Sequence, residues 1–314
     1  MNAQISWMLR VDAYLAYRRH HGYQLSNEAA QLRSFARFAD KIITEGHLTV
    51  ALATAWARDS QRTAPFTWAR RIEVLRGFAR FCLREDPATE IPPSGLFGSA
   101  HRRRVPHIYT ELELCTLLKA SDGLAPSEGL RSATCQCVFG LLAATGLRIS
   151  EALTLAIADA DLNSGVLHIR GAKFHQQRLV PLHPSVTNSL RVYAQRRDRL
   201  VPRRCCDRFF LRDDGYGATQ ACIRYALQSL CRQMGWQPRG DYSCHRLHDL
   251  RHTFIVRRIL RFYEEGVDID NAILTLSTYV GHAKLSDTYW YVTGTPELMA
   301  IAAERFRLYT QGDT

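Results

Sequence analysis

Between Asp86 and His107 the chain cannot run as a helix. Asp86-Pro87, Pro92-Pro93-Ser94-Gly95 and Gly98 remove backbone donors or favour turns, and Arg102-Arg103-Arg104 adds a run of positive charge. This interruption divides the 314 residues into two blocks of different pattern. Before it, four segments carry apolar side chains at helical spacing, about 4–20, 27–44, 50–60 and 66–84. The second follows Ser26-Asn27-Glu28, a cap with an acid in the first turn. In the fourth, Ile72, Leu75, Phe78, Ala79 and Cys82 share one face and a row of arginines occupies another.

Beyond the interruption the pattern is mixed. Thr110 caps a helix over 111–120, and an apolar helix over 132–144 is closed by Gly146. The stretches VLHIRG (166–171) and RLVPLH (178–183) alternate like paired strands joined by a turn. Helices follow at about 185–199, 218–234, 247–264 and 269–280, with FFL (209–211) as a short strand and Pro296 to Tyr309 as a last amphipathic helix. The expected fold is mainly α with a small β-sheet. It comprises a helical domain over 1–86, a basic linker over 87–107, an α+β domain over 108–295 and a C-terminal helix and tail over 296–314.

Composition narrows the function classes. No apolar run reaches the roughly 18 residues that a membrane-spanning helix needs, and charges are spread through the N-terminal stretch where a signal peptide would have an apolar centre. A membrane or secreted protein is therefore not expected. Nine cysteines, an odd number with no C-x-x-C pair, suit reduced thiols in a cytosolic protein. Lys+Arg number 41 against 30 Asp+Glu, a net charge of +11, and 37 of the 41 are arginine. Guanidinium pairs bidentately with phosphate oxygens. Both blocks are basic, 13 against 9 over residues 1–100 and 28 against 21 beyond. A GC-rich genome would favour arginine codons, but it would not produce the net charge. Nucleic acid is the leading partner class. Arg70, Arg71, Arg76 and Arg80 on the fourth helix are candidate DNA contacts, with a solvated face as the plainer reading.

Four places carry side chains suited to chemistry. In ATGLRISEAL (144–153), Arg148 lies just past a helix-ending glycine, and Glu151 follows three residues later. Lys173 sits in the turn between the two strands. In CHRLHDLRHTF (244–254), His248 and Arg251 are three residues apart and point the same way on a helix. In YVGHAKLSDTYWYVT (279–293), His282 follows a glycine and Tyr291 lies in an aromatic run. Each has a bland reading: a surface ion pair, a solvated lysine, core or capping histidines, a packed aromatic. Cys244, His245, His248, Asp249 and His252 are also metal-ligand types, but no C-x-x-C or H-E-x-x-H spacing organises them.

Taken in this order, the four elements resemble the tyrosine recombinase (phage-integrase-like) family, whose set runs Arg, Lys, His-x-x-Arg, His or Trp, Tyr. The resemblance covers about 107–305 and assigns Arg148, Lys173, His248, Arg251, His282 and Tyr291 as the catalytic set. Glu151 matches an acid that often accompanies the first arginine. The family's N-terminal core-binding domain corresponds to the helical 1–86. Two departures stand out: Gly171-Ala172-Lys173-Phe174 replaces a Gly-Lys-Gly-like turn, and Tyr279-Val280 replaces a leucine before the glycine. Tyr289 is the alternative nucleophile. Two residues apart on a helix, Tyr289 and Tyr291 point about 200° away from each other, and the spacing favours Tyr291.

The resemblance implies a bacterial, cytoplasmic, nucleoid-associated enzyme that breaks and rejoins double-stranded DNA through a 3′-phosphotyrosine. No cofactor is expected, neither metal nor ATP, and the chain contains no G-x-x-x-x-G-K-[ST] loop. It further implies a homotetramer, or a heterotetramer with related recombinases, on synapsed sites. The TYWY tail and KFHQQRLVPLHPS are closer to transposon-borne recombinases than to chromosome-dimer resolvases. The residues alone leave open a type IB topoisomerase-like nicking-closing activity, a non-cutting protein of the recombination site, and a metal-dependent nuclease built on 244–252.

Overall fold

A computed structural model describes residues 6–23, 25–42, 46–61, 64–100, 103–126, 128–170, 177–294, 298–300, 303 and 307. The chain forms two units, Met1–Arg103 and Arg104–Thr314.

The first unit is all helix: α1 (Trp7–His20), α2 (Ser26–Ile42), α3 (Val50–Arg58) and α4 (Pro65–Cys82). Ser6 and Thr49 cap α1 and α3 through their hydroxyls, and Pro65 opens α4, where its missing N–H costs nothing. The buried faces converge on Phe35, which meets the rings of Trp7, Trp56 and Phe78 edge-on at 5.6, 5.5 and 6.1 Å. The arginine row of α4 divides. Arg71 lies on the Trp56 ring at 4.0 Å, and Arg76 bonds the Pro92 carbonyl and pairs with Glu73, while Arg70 and Arg80 stay exposed. The proline-rich stretch after α4 also packs here. The Glu90 N–H donates to the Leu48 carbonyl, and Ile91 and Phe97 lie against the core.

The second unit contains α5 (Glu111–Ala120), α6 (Arg131–Thr145), α7 (Ile149–Thr154), β1 (Ala160–Asp161), β2 (Val166–Ile169), β3 (Arg178–Pro181), α8 (Pro184–Leu200), α9 (Gln220–Gln233), α10 (Leu247–Glu264), α11 (Ile269–Val280) and α12 (Ser286–Gly294). Thr110 and Glu113 form a reciprocal capping box at α5. The sheet is antiparallel in the order β1-β2-β3, with Ile169 opposite Arg178. Helix α6 runs through the centre, packed on α5, α8 and α10. Helix α10 joins the main core to a smaller one formed with α11, α12 and Leu298.

The architecture is mainly α with a small sheet, as the periodicity implies. Phe209, Phe210 and Leu211, expected as a strand, instead form a buried loop. Isolated bridges at Arg208 and Leu211 flank it, so aromatic burial, not a ladder, explains the apolar run. Helix α7 and strand β1, of six and two residues, are too short to show a period and were not expected. Lys173 lies outside the described residues, as does most of the expected helix over 296–309, of which 298–300, 303 and 307 are helical. All nine cysteines are free thiols, and no helix among the described residues is long and apolar enough to cross a membrane.

Candidate active site

The site begins where α6 stops. Gly146 adopts φ +63°, and a Cβ there would stand 2.5 Å from the Phe254 ring, so the turn requires glycine. The turn sets Arg148 at the cap of α7, one turn before the buried Glu151 (3% exposed). Glu151 accepts from the Arg148 backbone and Nη1, and from Nη1 and Nη2 of Arg178, each at 2.9 Å. Burial alone would raise the Glu151 carboxyl. The bonds and charges of Arg178 and Arg148 outweigh it and hold the group below the ordinary carboxylate range. Arg178 opens β3 and also donates from Nε to the Tyr279 carbonyl at 2.9 Å. Its guanidinium lies against Gly281, which ends α11 at φ +69° and where a Cβ would come within 2.6 Å. The Gly281 carbonyl in turn accepts from Arg148 Nη2 at 2.6 Å. Glu151 thus ties together the Arg148 turn, the sheet and the turn that carries His282.

Arg251 lies beneath this layer, 1% exposed, donating to the Gly146 carbonyl at 2.6 Å and the Val280 carbonyl at 2.8 Å. Burial and the neighbouring Arg148 lower its pKa to about 10, which leaves it charged at neutral pH. One turn of α10 carries His248 and His252 side by side, their rings perpendicular with centroids 4.5 Å apart. His248 keeps an exposed edge. Even so, desolvation of its inner side and the charges of Arg251, Arg246 and Arg148 push it down to about 4. His282, whose Nδ1 is 2.7 Å from Thr288 Oγ1, is lowered to about 3 by burial and then by Arg251 and Arg148.

Tyr291 completes the group. It is 3% exposed, its ring parallel to that of His282 at 6.4 Å, and its Oη is 2.6 Å from His252 Nδ1. Tyr289 points the other way. It is 37% exposed and donates to the Asp270 carboxylate at 2.6 Å. Of the six residues expected from sequence, Arg148, His248, Arg251, His282 and Tyr291 therefore share one site, and Lys173 is not described. The arrangement offers two guanidiniums to an anion, with neutral imidazoles and a phenol beside them.

Sequence reasoning overlooked Arg178 and His252 as members of this site. The available signals were weak: Arg178 as the residue that opens the second strand, and His252 one helical turn after His248. The ligand-type side chains of 244–252 do not converge. His245 packs on His107 at 4.5 Å, Asp249 is bonded by Arg246, and His252, with His248 beside it, meets Tyr291. Among the described residues no group of three or more His, Cys, Asp or Glu is placed to hold a metal.

Residues 109–297, most of the unit that holds this site, match the model of the phage integrase family. The chain belongs to the phage integrase family. As such it is a tyrosine recombinase, an enzyme of DNA breakage and rejoining. This family member is 38% identical over 299 residues to the integrase/recombinase y4rB of Sinorhizobium fredii, across 94% of this chain and 95% of that one. It is 30% identical over 228 residues to the tyrosine recombinase XerC of Bacillus licheniformis, across 72% and 69% of the two chains. Its fold is shared with XerH bound to a palindromic difH substrate in a post-cleavage complex: TM-score 0.68, 18% identity, 98% of this chain and 91% of that one. It is shared as well with the Tn1549 transposon integrase in complex with transposon right end DNA, at TM-score 0.62 and 16% identity, with 95% and 99% covered.

Proposed function

We propose that the enzyme recombines DNA at a specific site through Tyr291. The carrying observation is the placement of the Tyr291 hydroxyl beside His252 and His282 in the pocket of Arg148 and Arg251, with Tyr289 turned away to Asp270. Attack by Oη on a phosphodiester moves negative charge onto the non-bridging oxygens. Arg148 and Arg251 receive that charge through bidentate, charge-assisted bonds, and His282 adds a donor. The P–O5′ bond breaks as the Tyr291–phosphorus bond forms, which leaves a 3′-phosphotyrosine and a free 5′-hydroxyl. Lys173, between β2 and β3 in the sequence, donates the proton that the 5′ oxygen takes up. His248 accepts or orients the proton that Tyr291 loses. Before DNA arrives, burial and then the guanidinium charges hold His248 low; a phosphate between the guanidiniums offsets their part of that shift and makes the imidazole a better acceptor. The phosphotyrosine keeps the energy of the broken bond, so rejoining needs no ATP, and two guanidiniums supply the positive charge that a metal ion supplies elsewhere.

The working assembly is a tetramer of this chain, or a mixed tetramer with related recombinases, on two synapsed sites. In support, the fold is shared with a lambda integrase tetramer bound to a Holliday junction, at TM-score 0.60 and 15% identity. The segment 296–314, whose Leu298 packs in the chain's own core here, docks on a neighbouring copy in that assembly. Deleting it abolishes synapsis and leaves DNA binding by single copies; unchanged assembly overturns that role.

The decisive test is covalent trapping on nicked DNA from the sequence flanking the gene, in EDTA, read on a denaturing gel. An adduct lost in Tyr291→Phe and kept in Tyr289→Phe is expected. Loss in Tyr289→Phe alone reassigns the nucleophile, and relaxation of plasmids without any site preference replaces recombination by nicking-closing activity.

A further inference from the structure

We infer that His252 is a positioning residue for the reaction, its Nδ1 accepting the Tyr291 hydroxyl proton in a hydrogen bond that aims Oη at the phosphorus. This rests on Tyr291 being the nucleophile. A phenol hydroxyl rotates about its C–O bond, and the attacking lone pair is aimed only when the proton is pinned. His252 Nδ1 stands 2.6 Å from Oη, well within hydrogen-bond range. The imidazole is itself fixed. It grows from α10 one residue after the buried Arg251, meets the His248 ring edge-on at 4.5 Å, and lies 5.4 Å from the Tyr291 ring and 6.3 Å from that of Trp290. The parallel His282 ring holds the plane of Tyr291 from a second direction.

The charge state of the ring leaves Nδ1 free to accept. Desolvation, together with His248, Arg246, Arg251 and His282, holds the ring far below its ordinary range, to about 2, so it carries one N–H at working pH. A neutral ring facing a phenol through Nδ1 either accepts there with its proton on Nε2 or donates there, and only the first of these engages the hydroxyl proton that has to be held. The same depression makes His252 a poor proton acceptor. Its contribution is orientation before attack; as the Tyr291–phosphorus bond forms, the hydroxyl proton leaves its hydrogen bond to Nδ1 and passes to His248, the neighbouring imidazole.

The test uses the full chain on a nicked duplex that the wild type converts to a covalent adduct. In His252→Asn the amide places a polar atom near the position of Nδ1, and in His252→Gln near that of Nε2. Asn is expected to keep the single-turnover rate of adduct formation within several-fold of wild type. Gln is expected to lose about 100-fold, the order of effect that a misplacement of about 1 Å produces, with DNA affinity unchanged in both. Equal rates in the two variants, whether high or low, overturn the inference. Adduct formation by Tyr291→Phe would instead overturn the reading on which it rests. Histidine ¹⁵N spectra of the DNA-free wild type decide the matter however the variants fold: an Nε2–H tautomer at His252 supports the inference, and an Nδ1–H tautomer overturns it.

Discussion

The two units of this chain are stabilised by different means. In the unit Met1–Arg103, Thr89 is the one fully buried polar side chain among the described residues; the rest of the interior is aliphatic and aromatic. Its arginines at rings, such as Arg71 on Trp56, lie over aromatic faces at the edge of that interior. The unit Arg104–Thr314 buries Arg251, Glu151, Asp249, Arg197, His107 and His245 outright. Charge in an interior costs several kcal/mol per ion unless it is paired and hydrogen-bonded. Two of these, Glu151 and Arg251, lie in the candidate active site, each engaged by named partners. The first unit gets its shape from packing. The second accepts an electrostatic cost in order to hold fixed positive charge where a phosphate would sit.

Arg251→Ala tests that contrast most severely. It removes a site cation and strands the Gly146 and Val280 carbonyls, so adduct formation falls at least about 100- to 1,000-fold. The second unit also loses roughly 2–4 kcal/mol, measured by denaturant unfolding. An active Arg251→Ala enzyme would remove the functional half of the comparison. In the first unit, Phe78→Ala empties a fully buried aromatic site and costs about 3–5 kcal/mol. Hydrogen exchange should show faster opening of α1 to α4, with protection of α10 retained.

Glu151→Gln keeps the shape and removes the charge that bridges Arg148 and Arg178. Single-turnover cleavage should drop about 10- to 100-fold with DNA affinity preserved, because misaimed guanidiniums still attract phosphate. Rates equal to wild type would make the bridge merely structural. A pH series sharpens the same point. His107, 1% exposed, is pushed by burial and then by His245 and Arg239 from 6.5 to about 4. His245 is lowered too, chiefly by burial. Neutral histidines in the folded state mean that the unfolded chain binds more protons on acidification. Their contribution is complete above about pH 6.5 and is lost progressively toward about pH 4. His107→Phe should flatten the thermal stability of the second unit over that window. The smallest effect belongs to Tyr289→Phe. Loss of an exposed bond to Asp270 should leave the unfolding midpoint within error of wild type and the adduct intact.

Much of this molecule was legible in one dimension because its elements are long and amphipathic. Helix α5 begins at Glu111 after its capping threonine, as the spacing indicates, and the strands Val166–Ile169 and Arg178–Pro181 lie inside their alternating stretches. What failed was short or aperiodic. Helix α7 spans under two turns, and the Phe209–Phe210–Leu211 run is buried by aromatic packing, its isolated bridges too few to extend into a ladder.

The sequence by itself determined the helical content and the basic charge, because period and composition are properties of the chain read along its length; its resemblance to the family picked out the five positions that the fold brings together. Only the tertiary structure decided which tyrosine faces the guanidiniums, since Tyr289 and Tyr291 are separated by the angle of one helix against α10 and α11. It also decided that Glu151 bridges to Arg178, 27 residues away, and that His252, met in sequence as a metal-ligand type, bonds Tyr291, 39 residues away. Such contacts depend on how distant faces pack, and no local spacing encodes them.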